Sequence, residues 1–206
     1  KMSGFSIEWL NLREASDHKA RDRHLLKTAA NWLNDLKSKD KVIVDLGTGT
    51  GSTIRGLQRH TTLAPSIQWR LVDDDPELLA EAVRRHSEEY SIESFLVDLS
   101  ATQKLPLESV SLITASALLD LVSSNFIRDL CQLIKEKNEG RPLGFYSALN
   151  YDGCIKWTPF HPLDAAILMN FNTDQRRDKG FGPALGPDAT DFLKTQFHST
   201  KFQCLS

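Results

Sequence analysis
The chain has 206 residues and 40% hydrophobic content, enough to bury one sizeable core, so a single domain over residues 1–206 is expected. No stretch approaches the roughly 20 apolar residues of a membrane span; no signal-peptide pattern is present; and a net charge of −2 with interspersed signs leaves no electrostatic footprint for nucleic acid. The expectation is a soluble, cytoplasmic protein acting on a small molecule, with oligomeric state undetermined. Cys131, Cys154 and Cys204 are far apart and form no CxxC pair, which suggests neither a disulfide framework nor a zinc site, and no metal is expected.

In chain order, residues 1–40 read as a helical cap. After an irregular start, Asp17 is a candidate N-cap for a helix that places Leu25, Leu26, Ala29, Ala30, Leu33 and Leu36 on one face. Residues 41–149 read as a binding core. "VIVDLGTGTGSTI" (42–54) is a continuous apolar run, an acid, three alternating glycines and a helix start. It reads as a strand buried on both faces, a tight turn and a helix. Gly47, Gly49 and Gly51 permit positive φ and let a nucleotide-like ligand approach the backbone.

"IQWRLVDDD" is a second strand. Asp75-Pro76-Glu77 starts a helix, with Asp75 as cap and Leu78, Leu79, Ala82 and Val83 as its buried stripe. "SFLVDL" and "VSLITASALL" are the third and fourth strands, then comes a helix from about 124 to 137 and a fifth strand "LGFYSAL". Alternating strands and helices define an α/β, Rossmann-like fold: a mainly parallel twisted sheet with helices on both faces. Ligands of such sheets bind beyond the carboxyl ends of the strands. Asp45, Asp73 and Asp98 fall at those ends. Asp73, about 22 residues past the last glycine, stands where a ribose diol is held; any of the three taken singly is also an ordinary strand-terminating acid.

"VIVDLGTGTG", "LVDDDPELL" and "FLVDLS" resemble the successive cofactor motifs of class I S-adenosylmethionine-dependent methyltransferases, over residues 41–149. The resemblance implies S-adenosyl-L-methionine as cofactor and S-adenosyl-L-homocysteine as product. It implies that Asp45, Gly47, Thr48, Gly49 and Gly51 hold the amino-acid end, Asp73 the ribose, Asp98 and Leu99 the adenine, and that Ala115 and Ser116 lie close by. An NAD-dependent oxidoreductase is the competing enzyme reading, but its GxGxxG fingerprint needs a glycine where this chain has Ser52. A non-catalytic, methyltransferase-like binding subunit is the third reading. "TASALLDL" replaces the acid-Pro-Pro-aromatic sequence found after the fourth strand in enzymes that methylate amino groups of bases, which argues against that substrate class. Asp120 in this stretch is a candidate base or substrate ligand, or else a cap for the next helix.

Residues 150–187 are too long for an ordinary connection and rich in aromatics, so they are expected to form a lid over the substrate. Tyr151 and Trp157 are candidate substrate contacts, Arg176 and Arg177 candidate recognisers of an anionic substrate, and His161 a candidate proton acceptor. The alternatives are a solvated basic cluster and a structural histidine. "LREASDHKAR" is a second candidate wall, with Arg13 or Arg21 to pair a cofactor carboxylate. Residues 188–206 read as a final helix and the opening of a strand at "KFQCLS". The resembled family normally finishes with two more strands, so the sequence is read as truncated or divergent there.

Overall fold
The computed structural model describes residues 5–38, 40–138, 140–199 and 202–205. Five strands, β1 (Val42–Leu46), β2 (Gln68–Asp73), β3 (Ser91–Leu96), β4 (Leu112–Ser116) and β5 (Gly144–Ala148), form one parallel sheet in the order β3-β2-β1-β4-β5. β1 is buried at every position, because it lies at the centre with a helical layer on each face. Ile43 faces a core with Leu26, Ala30 and Leu33 of α2 (Arg23–Asp35), Ile54 and Leu57 of α3 (Ser52–Gln58), and Leu79 and Ala82 of α4 (Pro76–His86). Val42, Val44 and Leu46 face the other core, with Phe126, Ile127 and Leu130 of α5 (Ser124–Asn138) and Leu193 and Phe197 of α7 (Ala189–His198). The alternation along one strand thus divides the interior into two layers.

The N-terminal segment differs from the reading of its sequence. In place of an irregular start there is a helix, α1 (Ile7–Ala20), capped by Ser6, whose side chain accepts from the Trp9 amide. Its apolar residues form no stripe and only His18 is buried, so periodicity could not reveal it. Asp17 lies inside α1 and binds the Arg13 guanidinium at 2.8 and 3.2 Å. The cap of α2 is Asp22, which accepts from the Leu25 amide at 2.9 Å.

Further along the chain, β3 ends at Leu96, so Asp98 lies two residues beyond the strand rather than within it. The stretch 202–205 is not a strand: Phe202 packs on Phe197 beside β5. The other "KFQCLS" positions, 201 and 206, lie outside the described residues. The segment after β5 carries α6 (Asp164–Gln175), of which no residue is buried, with Leu163, Ile167, Met169 and Phe171 exposed. Among the described residues, no helix is long and apolar enough to cross a membrane.

Asp75 caps α4 as its sequence predicts, accepting from the amides of Glu77 and Leu78 with Pro76 in the first turn. Asp75→Ala is expected to lower stability by about 1 kcal/mol, measured by urea denaturation.

Candidate functional site
The turn after β1 is built from glycines at φ of 65°, 52° and 82° for Gly47, Gly49 and Gly51, a region costly for residues with a Cβ. Its path is fixed from both sides. The amides of Gly47 and Thr48 donate to the Val72 carbonyl of β2 at 2.9 and 3.1 Å. The Asp73 carboxylate accepts from the Gly49 amide at 2.7 Å with one oxygen and from the Asp75 amide at 3.0 Å with the other. From behind, Asp45 accepts from the hydroxyls of Thr48 at 2.8 Å and Thr114 at 2.6 Å. Burial raises the carboxyl pKa of both Asp45 and Asp73, partly offset at Asp45 by Thr114 and Thr48 and at Asp73 by the two amides.

A second polar cluster ties the turn to α1. Arg55 of α3 donates to the Thr50 carbonyl at 2.6 Å, to both oxygens of Glu14 at 2.6 and 2.9 Å, and to His86 Nε2 at 2.9 Å. Glu14 also meets His18 Nε2 at 2.8 Å. The His86 ring packs against Gly51 so closely that a Cβ there would lie 2.8 Å from it. Burial, then the charge of Arg55, brings the His86 pKa down to about 4. Burial works against the charge of Glu14, but bonds from Arg55 and His18 outweigh it and bring that carboxyl down to about 2.

Between the carboxyl ends of β1, β2 and β4 lies a cavity closed on its outer side by α1. It is lined by the turn residues Gly47, Thr48, Gly49 and Thr50, by Asp73 and Asp74, by Ser52, Thr53 and Ser116, and by the apolar Leu78, Leu118, Leu121 and Leu149. Leu10, Arg13, Asp17 and Arg21 come from α1 and its C-terminal junction. Of the site residues singled out from sequence, Gly47, Thr48, Gly49, Asp73 and Ser116 meet here, together with Arg13 and Arg21.

The others fall outside the cavity lining. Asp45 is buried behind the turn; Gly51 faces His86; Ala115 is buried opposite Leu46 in the sheet. Leu99 is buried beneath Gly47, its Cδ1 3.8 Å from where a Cβ would stand. Asp98 is exposed and accepts from the Ser100 amide. Asp120 is 8% exposed, with Oδ1 buried and unpartnered; burial raises its pKa, partly offset by backbone amides including that of Tyr151.

No residue of 150–187 lines the cavity; its outer cover is α1. Tyr151 donates to Asn172 and meets Phe171 edge-on, which anchors α6 to the end of β5. Trp157 is exposed. His161 is exposed at the start of α6, its Nδ1 accepting from the Leu163 amide and its own amide donating to Asp164. Arg176 is paired with Asp188, Arg177 and Lys179 with Asp174. The basic cluster is therefore already matched by carboxylates, as its proximity to Asp174 and Asp188 allows. The Glu14–Arg55–His86 cluster escaped the sequence reading because its members, 41 and 31 residues apart, share no local pattern.

No protein-family model and no curated protein matches the chain. Solved structures do. The N-terminal domain of EvdMO1 with S-adenosylhomocysteine bound is 14% identical, with a TM-score of 0.53 over 95% of this chain and 80% of that one. A possible exported protein from Bordetella parapertussis is 13% identical, TM-score 0.52, over 95% and 68%. An S-adenosylmethionine-dependent methyltransferase from Aquifex aeolicus is 14% identical, TM-score 0.50, over 82% and 88%. Against the CurJ carbon methyltransferase and a methyltransferase from Clostridium acetobutylicum, the chain spans 31% and 57% of their length. The chain shares its Rossmann-like α/β fold with these structures, an S-adenosylmethionine-dependent methyltransferase among them.

His86 and Glu14 give separate acid windows, and His18, whose pKa burial also lowers, adds to the upper one. A histidine whose folded pKa is about 4 against 6.5 unfolded lets the unfolded state take up the proton first, so stability falls as pH drops from about 6.5 to 4. Glu14, at about 2 against 4.5, loses its contribution only as pH falls from about 4.5 to 2. Urea midpoints measured from pH 7 to 3 are expected to fall through both windows. His86→Gln should make the upper one shallower, with the part due to His18 remaining, and leave the lower.

Proposed function
We propose that the chain is an S-adenosylmethionine-dependent methyltransferase acting on a small-molecule acceptor. The observation that carries this reading is the cavity at the carboxyl ends of β1, β2 and β4: the glycine turn lines it with bare backbone, and Asp73, also in the lining, is bonded to the Gly49 amide. Both Asp73 oxygens already accept one amide, and a carboxylate oxygen has a second lone pair for a ribose hydroxyl. Leu78 and Leu118 supply apolar walls suited to a flat ring. The reading extends to Asp98 and Leu99, next in the chain beyond β3, as partners of the purine.

Such a cofactor supplies a methyl group that is already electrophilic. The chain's own task is then to align a nucleophile, exclude water and accept a proton where the acceptor carries one. Leu10, Leu118, Leu121 and Leu149 exclude water from the cavity. Asp120 lies in the chain between two of these lining residues, with an unpartnered buried oxygen and a pKa raised by burial. The reading gives it the acceptor's proton. His161 is committed to the start of α6 and is assigned no part.

The competing dinucleotide reading is disfavoured at Ser52, which begins α3 where a third glycine would permit close helix packing. By isothermal titration, S-adenosylhomocysteine is expected to bind with micromolar affinity and NAD not at all; tight NAD binding would overturn the proposal. Gly49→Val, which forces a β-branched residue into positive φ beside Leu10, should abolish binding while circular dichroism remains that of a folded chain. Asp73→Asn should weaken binding by about 1.5–3 kcal/mol, roughly ten- to hundredfold. Incubation of metabolite extracts with methyl-labelled cofactor then separates an enzyme, which leaves a labelled product, from a binding subunit, which leaves none.

A further inference from the structure
Arg55 of α3 uses all of its N–H groups, and their partners lie on three separate pieces of the fold. Nε and Nη2 donate to the two oxygens of Glu14 on α1 at 2.6 and 2.9 Å. Nη1 donates to the Thr50 carbonyl at 2.6 Å and meets His86 Nε2 of α4 at 2.9 Å, and Nη2 also reaches the Thr50 hydroxyl at 3.1 Å. A guanidinium is a planar fork of donors with no acceptor, so His86 receives its bond on an unprotonated Nε2. Burial and the Arg55 charge, which lower the His86 pKa, favour that neutral form. Glu14, Arg55 and His86 lie outside the cavity lining, whereas Thr50 belongs to it. Thr50 stands between Gly49 and Gly51, at φ of 52° and 82°. Glycine neighbours leave a peptide group little steric preference for one orientation over its flip. The peptide joining Thr50 to Gly51 is instead held at both sides, its carbonyl by Arg55 and its N–H by the Thr48 carbonyl at 2.9 Å.

Glu14 decides where this fork points. Bidentate pairing fixes the plane of a guanidinium, and α1 supplies the carboxylate only while it lies docked on α3. We propose that Arg55 is a positioning residue, aimed by Glu14, through which the docking of α1 holds the glycine turn in its binding conformation. Taken with the cofactor reading on which it rests, this makes ligand affinity depend on an ion pair that lies outside the cavity. Leu10 of α1 also touches the turn, its Cδ1 3.3 Å from where a Cβ on Gly49 would stand, but a methyl contact is non-directional and cannot orient a peptide group. Arg55 can, because it grips the carbonyl itself. The coupling is reciprocal: a ligand bound on the ordered turn strengthens the docking of α1 by the same factor.

By isothermal titration, Glu14→Gln, which keeps the shape of the side chain but loses its charge, is expected to weaken S-adenosylhomocysteine binding by about fivefold or more, while circular dichroism remains that of a folded chain. Arg55→Lys offers a point charge that cannot meet Glu14 and Thr50 together, and should lose about as much. The double variant should lose no more than the larger single loss, because both changes break one link. Asn11→Ala removes a different tether of α1, its bond to Arg85, and leaves every partner of Arg55 in place; its affinity should stay native. Additive losses, a native affinity in Glu14→Gln, or an equal loss in Asn11→Ala would overturn the proposal and leave the cofactor reading intact. A second measurement needs no ligand. Amide exchange in the peptide containing the turn, followed by mass spectrometry, should be about threefold faster or more in Glu14→Gln and Arg55→Lys than in the native chain or in Asn11→Ala. If the native chain does not bind S-adenosylhomocysteine, the cofactor reading falls and exchange alone decides: native rates in both variants overturn the proposal. If Arg55→Lys does not fold, the contrast between Glu14→Gln and Asn11→Ala decides in the same way.

Discussion

Everything at the candidate site follows from one constraint in the sheet: β1 has β2 on one side and β4 on the other, so the chain leaves the centre in one direction first and returns later to leave in the other. The two connections diverge, and a crevice opens where they part. A parallel strand at that position is covered on both faces and can contain no exposed polar side chain along its length. Its first polar group, Asp45, is accordingly turned inward to two threonine hydroxyls. What reaches the crevice is backbone, and the glycines keep it bare.

Backbone alone would be a floppy floor. The bond from the Gly49 amide to Asp73 joins the turn after β1 to the end of β2, and the Val72 carbonyl takes two more amides from the same turn. Arg55 then grips Thr50 from the helix side. The turn is thus restrained by a neighbouring strand and by its own helix. Because these restraints are charge-assisted or made by backbone groups in a buried setting, they hold geometry more tightly than apolar contact would. The same carboxylate that would meet a ligand also holds the floor beneath it, so recognition and preorganisation are vested in one side chain.

Where local chemistry determines structure, the sequence was legible. Val42–Val44, the spaced glycines and Asp75-Pro76 each have one economical conformation, and each adopts it. The apolar stripes of α2 and α4 were equally plain, and α5 stands where a helix from about 124 to 137 was expected. α1 was not, because its contribution is polar and distant: Glu14 pairs with Arg55 of α3 and with His18 of its own helix, and no 3.6-residue apolar period marks it. For the same reason the cover of the cavity was sought in residues 150–187, whose aromatic content suggested burial, whereas Phe160, Leu163 and Met169 are exposed. The basic cluster of Arg176 and Arg177 looked like an anion site because composition cannot show that Asp174 and Asp188 are turned toward it.

The manner in which α1 is attached has a consequence for how the molecule comes apart. The five strands and the helices flanking them share two apolar cores and must lose them together, whereas α1 gives only His18 to the interior and is otherwise fastened by Glu14, by an Asn11–Arg85 bond and by Leu10 resting on the glycine turn. Detaching it exposes little apolar surface and leaves the sheet whole. The chain accordingly has two stabilities: a large one for the sheet and its helices, and a smaller, more salt- and acid-sensitive one for α1. Amide hydrogens of α1 are therefore expected to exchange ahead of those of the sheet.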